Sequence, residues 1–584
     1  MSEVLFNQVS FPVKKLVQDI EVGQIGLPNI QRPFVWPTIK VRDLLDSMYK
    51  GYPIGYLLFW KNGFSGDHRV IGMDQKQVSP ELLIVDGQQR LTSLYAVMKA
   101  VPIIDKDFRT TRIRIAFNPI EEKFEVTNPA IERDIQWIPD ISVLWDPKTN
   151  SYAFITEYLQ RLRSQYELTD QQEKTIPDAI NNVIKLSEYP LTALEISSSV
   201  NEEDVSEIFV RINSKGTALN QADFILTLMS VFWDDGRKEL EDFCRRAKSP
   251  PSGREASPFN YYFRPSPDQL LRVSVALGFR RARLEYVYSI LRGKDLQTGE
   301  FSPERRDAQF AVLKEAQSYT LNLQNWHDFF KVLLYAGYQS DQLISSEMAV
   351  VYSYALWLIG KRDFRIDDNA LRRIIAKWFF MSSLTGRYSS SAESRMEQDL
   401  ALLRGKTTPQ EFVDVLEQQI NAVLTSDYWR FTLPNELETS AAQNTGQFAY
   451  YAALCLLDAP VLYSKLKVAD LLKPGINAKR KAIERHHLFP RKYLERTGIR
   501  DRRLINQVAN YALVEWGDND KISDLPPKEY APKYESVLTD EELERMYDLH
   551  ALWKGWYETD YIDFLKERRK RIAKIVERGF TSLH

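Results

Sequence analysis

The sequence predicts an α+β chain of several domains: an α/β amino-terminal domain, an α-helical middle, and a carboxy-terminal unit ordered strand, strand, helix. Three observations lead there. At 584 residues the chain exceeds what one hydrophobic core ordinarily supports. Strand-like and helix-like patterns mix in the first 200 or so residues, after which the helical period dominates to about 430. Two short apolar strands then flank a basic stretch. Domains are accordingly expected at 1–200, 201–430 and 431–584.

In the first part, "YLLFW" (56–60), "LLIVD" (82–86), "RIRIAF" (112–117) and "TALEI" (192–196) read as short strands. "VRDLLDSMYKG" sets Val41, Leu44, Leu45 and Met48 on one helical stripe. From about 203, "EEDVSEIFVRINSKGTALNQADFILTLMSVFW" reads as two amphipathic helices broken at Gly216, with Asn220 capping the second. A Pro/Ser-rich interval (248–269) predicts a loop, and helical patterns resume from about 270 to 430.

Composition narrows the function classes. With 44% hydrophobic, 12% aromatic and 27% charged residues, the chain has the make-up of a folded protein and not of a disordered one. A net charge of −2 means that any affinity for polyanions must come from local basic patches. The two cysteines, Cys244 and Cys455, lie too far apart in sequence for a zinc knuckle, and they provide no disulfide framework. The amino terminus lacks the basic, apolar and small-residue order of a signal peptide, and "AVVYSYALWLIG" (349–360) is too short to span a bilayer. A cytoplasmic location without membrane association is expected.

"ERHHLFP" (484–490) places two of the six histidines side by side, with a proline three positions after the second. A strand at "HHLF", a long basic loop, a second strand at "ANYALVEW", the turn "GDND" and proline-limited helix follow in order. This set suits phosphodiester hydrolysis with one divalent metal. A neutral imidazole can take a proton from water near pH 7, and adjacent strand residues face opposite ways, so the two histidines need not share a role.

These residues resemble the ββα-metal finger of HNH endonucleases. The resemblance implies that His487, followed by Pro490, is the general base, that Asn510 orients the loop, and that His486 and Asn519 are the metal ligands. Mg²⁺ or Mn²⁺ is the implied ion. His486 stands where many HNH proteins carry aspartate, one ligand charge fewer. From Lys479 to Arg503 ten Lys and Arg face only Glu484, Glu495 and Asp501, a composition suited to tracking phosphates. The later basic run "KERRKRIAKIVERG" (566–579) reads as a solvated helix.

At the other end, "LLIVDGQQRLTSLYAVMKA" (82–100) reads as a strand ending at Asp86, a glycine turn and a helix. Backbone N–H groups at that helix start, with Arg90 in its first turn, make an anion seat. On physical grounds alone a simple helix cap is an equal reading, and no Walker loop is present. "NIQRPFVWP" (29–37), "GYPIG" (51–55), "VDGQQRLTSL" (85–94) and "FVRINSKGTAL" (209–219) occur in the order and spacing of the GmrSD family of modification-dependent (type IV) restriction endonucleases, which the chain resembles.

The resemblance implies a first module similar to the ParB/sulfiredoxin fold that binds and hydrolyses a nucleoside triphosphate of unspecified base. Asp86, Gly87, Gln88, Gln89 and Arg90 would form its nucleotide site, with Gln31 and Arg32 as neighbours. Asn213, Ser214 and Gly216 fit a helix end better than a ligand site. The second module would be the HNH-like nuclease. Together these imply a nucleotide-responsive, metal-dependent DNA endonuclease acting on double-stranded DNA, modified phage DNA in particular, with homo-oligomerisation left open. Two other readings stand beside it: a nicking nuclease that senses backbone phosphorothioate, and a DNA-binding regulator with a degenerate finger.

Overall fold

The computed structural model describes residues 5–26, 36–61, 81–104, 110–200, 221–294, 302–441, 443–473, 483–515 and 524–584, with Ile208, Thr298 and Ile522. It packs as two compact units, 1–237 and 238–584. The strands among the described residues are β1 (Phe6–Pro12), β2 (Ile25–Gly26), β3 (Leu57–Lys61), β4 (Leu82–Asp86), β5 (Ile103–Ile104), β6 (Thr110–Thr111), β7 (Ile115–Asn118), β8 (Lys123–Val126), β9 (Pro190–Ile196), β10 (Ile483–His487) and β11 (Tyr511–Glu515). The architecture is α+β.

The first unit is built on a mixed five-stranded sheet in the order β1-β9-β3-β4-β2. β3 runs parallel to β9 and antiparallel to β4, with a register irregularity between Leu58 and Phe59. β9 is inserted beside β3 from a point in sequence far beyond β4, and it also pairs antiparallel with β1 along its whole length. Three helices lay apolar stripes on the sheet. Val13–Glu21 contributes Val13, Leu16, Val17 and Ile20; Thr38–Tyr49 contributes Val41, Leu44, Leu45 and Met48; Gln88–Met98 contributes Leu91, Leu94, Val97 and Met98. The i, i+3, i+4, i+7 spacing of the first two is what gives a helix one buried face. They meet Leu57, Phe59, Ile84, Leu191 and Ala193 in one core, each large side chain contributing about 1.5–3 kcal/mol.

The second unit is mostly helical. Glu347–Arg362 is buried on every side from Ala349 to Gly360, as a helix apolar on nearly all sides must be, and it lies against helices Pro267–Phe279 and Asp368–Leu384. No described helix is long and apolar enough to cross a membrane. The expected 248–269 loop is organised by buried Asn260, whose Oδ1 accepts from the Tyr262 and Phe263 N–H groups. Ser266 then caps the helix that follows.

The segments expected as separate middle and carboxy-terminal domains pack together in this unit: helix Tyr561–Thr581 lies along Thr445–Leu456, and Phe580 touches Phe380 with ring centroids 5.7 Å apart. Gly579 permits the close helix approach, since a Cβ there would fall 2.5 Å from the Ala453 Cβ. The histidine strand differs from expectation in position. β10 ends at His487, and Leu488 and Phe489 leave the ladder to enter the core. The stretch expected as a long loop contains the short helices Arg491–Arg496 and Arg502–Ile505. The 566–579 run is not a fully solvated helix face, because Arg568 within it is completely buried.

Candidate functional sites

Two places gather the residues singled out by the sequence. In the first unit, β4 ends at Asp86 and Gly87 turns the chain into helix Gln88–Met98. Gly87 sits at φ +92°, and a Cβ there would lie 2.4 Å from Leu57 Cδ2, so glycine is demanded both by the backbone and by β3. Arg90 folds back over the turn. Its Nη1 donates to the Ile54 carbonyl at 2.5 Å and its Nη2 to the Tyr56 carbonyl at 2.7 Å, with Asp86 Oδ2 3.5 Å from Nη2. Burial pushes the Arg90 pKa down and the Asp86 charge opposes the shift; a guanidinium stays charged near pH 7.

Gln89 Oε1 accepts the Trp36 N–H at 3.3 Å, and Gln88 is buried. Asp86, Gly87, Gln88, Gln89 and Arg90 are thus brought together with the loop "GYPIG". Arg90 acts as a strut between helix and loop, a role that sequence reasoning did not assign. Gln31, Arg32, Asn213, Ser214 and Gly216 lie outside the described residues.

In the second unit, β10 and β11 pair antiparallel, with His486 opposite Ala512 and His487 opposite Tyr511. The period of two turns the neighbouring imidazoles to opposite sides. His486 is buried, only 3% exposed, with its ring edge-on to Tyr530 at a centroid distance of 5.8 Å. His487 is half-buried beside the Tyr511 ring at 4.5 Å, and its Nε2 lies 3.1 Å from Asn506 Oδ1. A carbonyl oxygen can only accept, so Nε2 carries the hydrogen and Nδ1 keeps the lone pair. The Tyr511 hydroxyl also donates to Asn506 Oδ1, at 3.4 Å. Burial holds the His487 pKa below the usual imidazole value; the Asn506 bond opposes this, and Arg491 and Arg485 reinforce it.

Asn510 is fully buried and clamps the turn after β10. Its Oδ1 accepts from the Phe489 N–H at 2.9 Å, and its Nδ2 donates to the carbonyls of Phe489 at 3.0 Å and Ile505 at 2.9 Å. Its own carbonyl accepts from Leu488 N–H at 2.8 Å. Phe489 is thereby fixed against Trp556, Tyr561 and Phe564. Asn519 lies outside the described residues. No group of three His, Cys, Asp or Glu gathers among the described residues, and of the two expected metal ligands only the His486 imidazole, one nitrogen donor, lies among them.

The basic run divides by partner. Arg491 pairs with Glu495 at 2.7 Å and Arg496 with Asp524 at 2.9 Å, while Arg485 lies over the Tyr511 ring at 5.6 Å. Lys492, Arg500, Arg502 and Arg503 are exposed and form no ion pair among the described residues, so their charge is presented to solvent. Lys479, Arg480 and Lys481 lie outside the described residues.

Elsewhere in the second unit, buried His550 donates from Nε2 to the Pro460 carbonyl at 2.8 Å, and burial pushes its pKa down to about 4. This depressed folded value makes a stability prediction. The unfolded chain takes up the proton near pH 6.5 and the folded chain does not, so the contribution of His550 is complete above about pH 6.5 and is lost as pH falls toward 4, on the order of 3 kcal/mol. His550→Gln, which keeps a donor for Pro460, should flatten the difference between denaturant unfolding curves taken at pH 7 and pH 4.

Comparison with known proteins gives a family match at one end of the chain and a distant relative along most of it. Residues 13–230 match the family model described as GmrSD restriction endonuclease, N-terminal domain, a match lying inside the first compact unit and relating the chain to restriction endonucleases of defence. Over 546 residues, 88% of this chain and 85% of the relative, the chain is 23% identical to the uncharacterized protein MJ0686 of Methanocaldococcus jannaschii. The family match ends well before the histidine pair, whose reading rests on its own residues.

Proposed function

We propose that the protein is a nucleotide-responsive, metal-dependent DNA endonuclease of anti-phage defence, which restricts modified foreign DNA and cuts it at the His487 site. The observation that carries the reading is the seating of His487. Burial favours the neutral imidazole, and the carbonyl partner on Nε2 fixes the tautomer whose Nδ1 lone pair has no hydrogen bond among the described residues, which is the state a general base needs. Asn510 holds the adjoining turn rigid, and exposed arginines stand nearby in sequence on the 500–503 segment. A divalent ion, Mg²⁺ or Mn²⁺, held by His486 and Asn519, would supply charge neutralisation at the phosphate when bound, which requires a twist at the strand end to bring the buried His486 ring to the same site as His487. His487 takes the proton of the attacking water, and Asn506 keeps the ring in the tautomer that can do so.

The first unit supplies the response to nucleotide. Asp86, Gly87, Gln88, Gln89 and Arg90, with Gln31 and Arg32, would receive the triphosphate at the helix start, where N–H groups and the helix dipole favour anions. Arg90 would exchange the Ile54 and Tyr56 carbonyls for phosphate oxygens, which couples binding to the 51–56 loop. The deciding experiment incubates the full chain with modified and unmodified phage DNA, with Mg²⁺ or Mn²⁺, with and without each nucleoside triphosphate. Cleavage of modified DNA that depends on metal and changes with nucleotide supports the reading. Binding without any cleavage favours the regulator, and single-strand breaks confined to phosphorothioate DNA favour the nicking nuclease.

The exposed arginines carry a separate expectation. Changing Arg500, Arg502 and Arg503 together to alanine should weaken binding to all DNA alike and lower the log-affinity against log-salt slope by about 0.9 for each phosphate no longer neutralised. Titration of a His487→Ala background across salt measures it, and an unchanged slope removes the segment from the interface.

A further inference from the structure

The helix Tyr561–Thr581 bonds one short segment of the second unit with three side chains. The Tyr561 hydroxyl donates to the Leu504 carbonyl at 2.8 Å, and Arg569 Nη1 to Gln507 Oε1 at 2.6 Å. Arg568 Nη1 donates to two carbonyls at once, Ala509 at 2.6 Å and Tyr511 at 2.8 Å, while its Nε and Nη2 hold the His550 carbonyl at 3.3 and 3.1 Å. Positions 561, 568 and 569 differ by seven and eight residues, two helical turns, and so fall on one face.

Every one of those targets apart from His550 lies between 504 and 511. That segment contains Asn506, the partner of His487, and Asn510, the clamp on Phe489. The two carbonyls held by Arg568 Nη1 belong to the residues on either side of Asn510. Arg568 is completely buried, and among the described residues its hydrogen-bond partners are neutral oxygens, the three backbone carbonyls and the Tyr450 hydroxyl, with no carboxylate. An unpaired buried cation is costly, and an apolar residue would pack the same space at less expense.

We propose that Arg568, acting together with Tyr561 and Arg569 on the same helix face, is a positioning residue for the His487 site: its guanidinium fixes the backbone on both sides of Asn510 and the other two hold Leu504 and Gln507, so that Asn506 and Asn510 meet His487 and Phe489 in register. The proposal rests on the nuclease reading for its catalytic consequence and on the bonds alone for its structural one. The rigid, planar fork reaches two carbonyls together, which a lysine ammonium on one flexible stem cannot reproduce.

The test uses the full chain with Arg568→Lys and Arg568→Met, and a Tyr561→Phe/Arg569→Gln double variant that leaves Arg568 and the apolar stripe intact in case the first two fail to fold. Backbone hydrogen exchange is read at Leu488 and Phe489, whose N–H groups bond the Asn510 carbonyl and side chain. Faster exchange there, with protection kept in β3 and β4 of the other unit, is the expected result. In cleavage, Arg568→Lys should lower kcat by about tenfold to a hundredfold with KM for DNA held within about twofold, and Arg568→Met should fall further. The double variant should move the same quantities less.

A folded Arg568→Lys with wild-type exchange at Leu488 and Phe489 and wild-type kcat overturns the proposal, as does unchanged exchange in the double variant when the single variants do not fold. A wild-type chain that cuts no DNA overturns the nuclease reading instead. The exchange measurement then still decides whether Arg568 positions the 504–511 segment.

Discussion

His487→Ala is expected to abolish DNA cleavage while the chain stays folded and still binds DNA. The imidazole is half-buried at the end of β10, and its removal costs one bond to Asn506 and the packing of one ring on Tyr511, neither of which ties the core together. The loss of a general base is worth about 10² to 10⁴ in rate. Because burial holds the His487 pKa below the usual imidazole value, the wild-type rate should fall on the acid side with a midpoint below about pH 6.5, the base being lost as it protonates. Asn506→Ala should reduce kcat less, since the base remains but the tautomer is no longer imposed. Single-turnover cleavage at saturating Mg²⁺ or Mn²⁺ across pH measures both; a His487→Ala chain that cuts at the wild-type rate disproves the assignment.

Asn510→Ala should have a larger effect on folding than the removal of any one bond would. Three bonds vanish from a fully buried amide, leaving the Phe489 N–H and the Phe489 and Ile505 carbonyls without their partner in a place water does not reach. A buried group stripped of its partner costs about 1–3 kcal/mol, so a loss of several kcal/mol is expected in the second unit together with loss of cleavage. Asn510→Asp keeps the acceptor for Phe489 but sets a carboxylate against two carbonyl oxygens, and should be no better. Denaturant unfolding of both variants, followed by tryptophan fluorescence, supplies the measurement. A variant as stable as wild type would remove Asn510 from the scaffold.

Much of the first unit is legible in its apolar spacing. "YLLFW", "LLIVD" and "TALEI" become β3, β4 and β9, and the stripe Val41, Leu44, Leu45, Met48 is buried as the helical period requires. β1 was not legible, because an edge strand reading "FNQVSFP" and ending in proline carries no apolar face of its own; its pairing comes from β9. At the histidine pair, "HHLF" reads as strand on its apolar end. Leu488 and Phe489 are apolar for another reason: they enter the core behind the turn clamped by Asn510.

Asn506 left no signal, since a lone asparagine in "RRLINQ" looks like any helix end. Arg568 did leave one. Tyr561, Phe564, Leu565, Ile572, Ile575 and Val576 are the buried face of their helix, and position 568 falls on it at the i+4 and i+3 steps from Phe564 and Leu565. A charged residue at an apolar position was concealed by the basic residues around it.

The reliance of the 504–511 segment on helix Tyr561–Thr581 bears on the birth of the molecule. Synthesis proceeds from the amino terminus and units fold as they emerge. Arg568 follows Tyr511 by 57 residues, so β10, the histidines and Asn510 all leave the ribosome before the guanidinium that braces them exists. A nascent or truncated chain ending short of that helix would carry His486 and His487 on an unbraced ribbon, and on the nuclease reading such a fragment is expected to cut poorly.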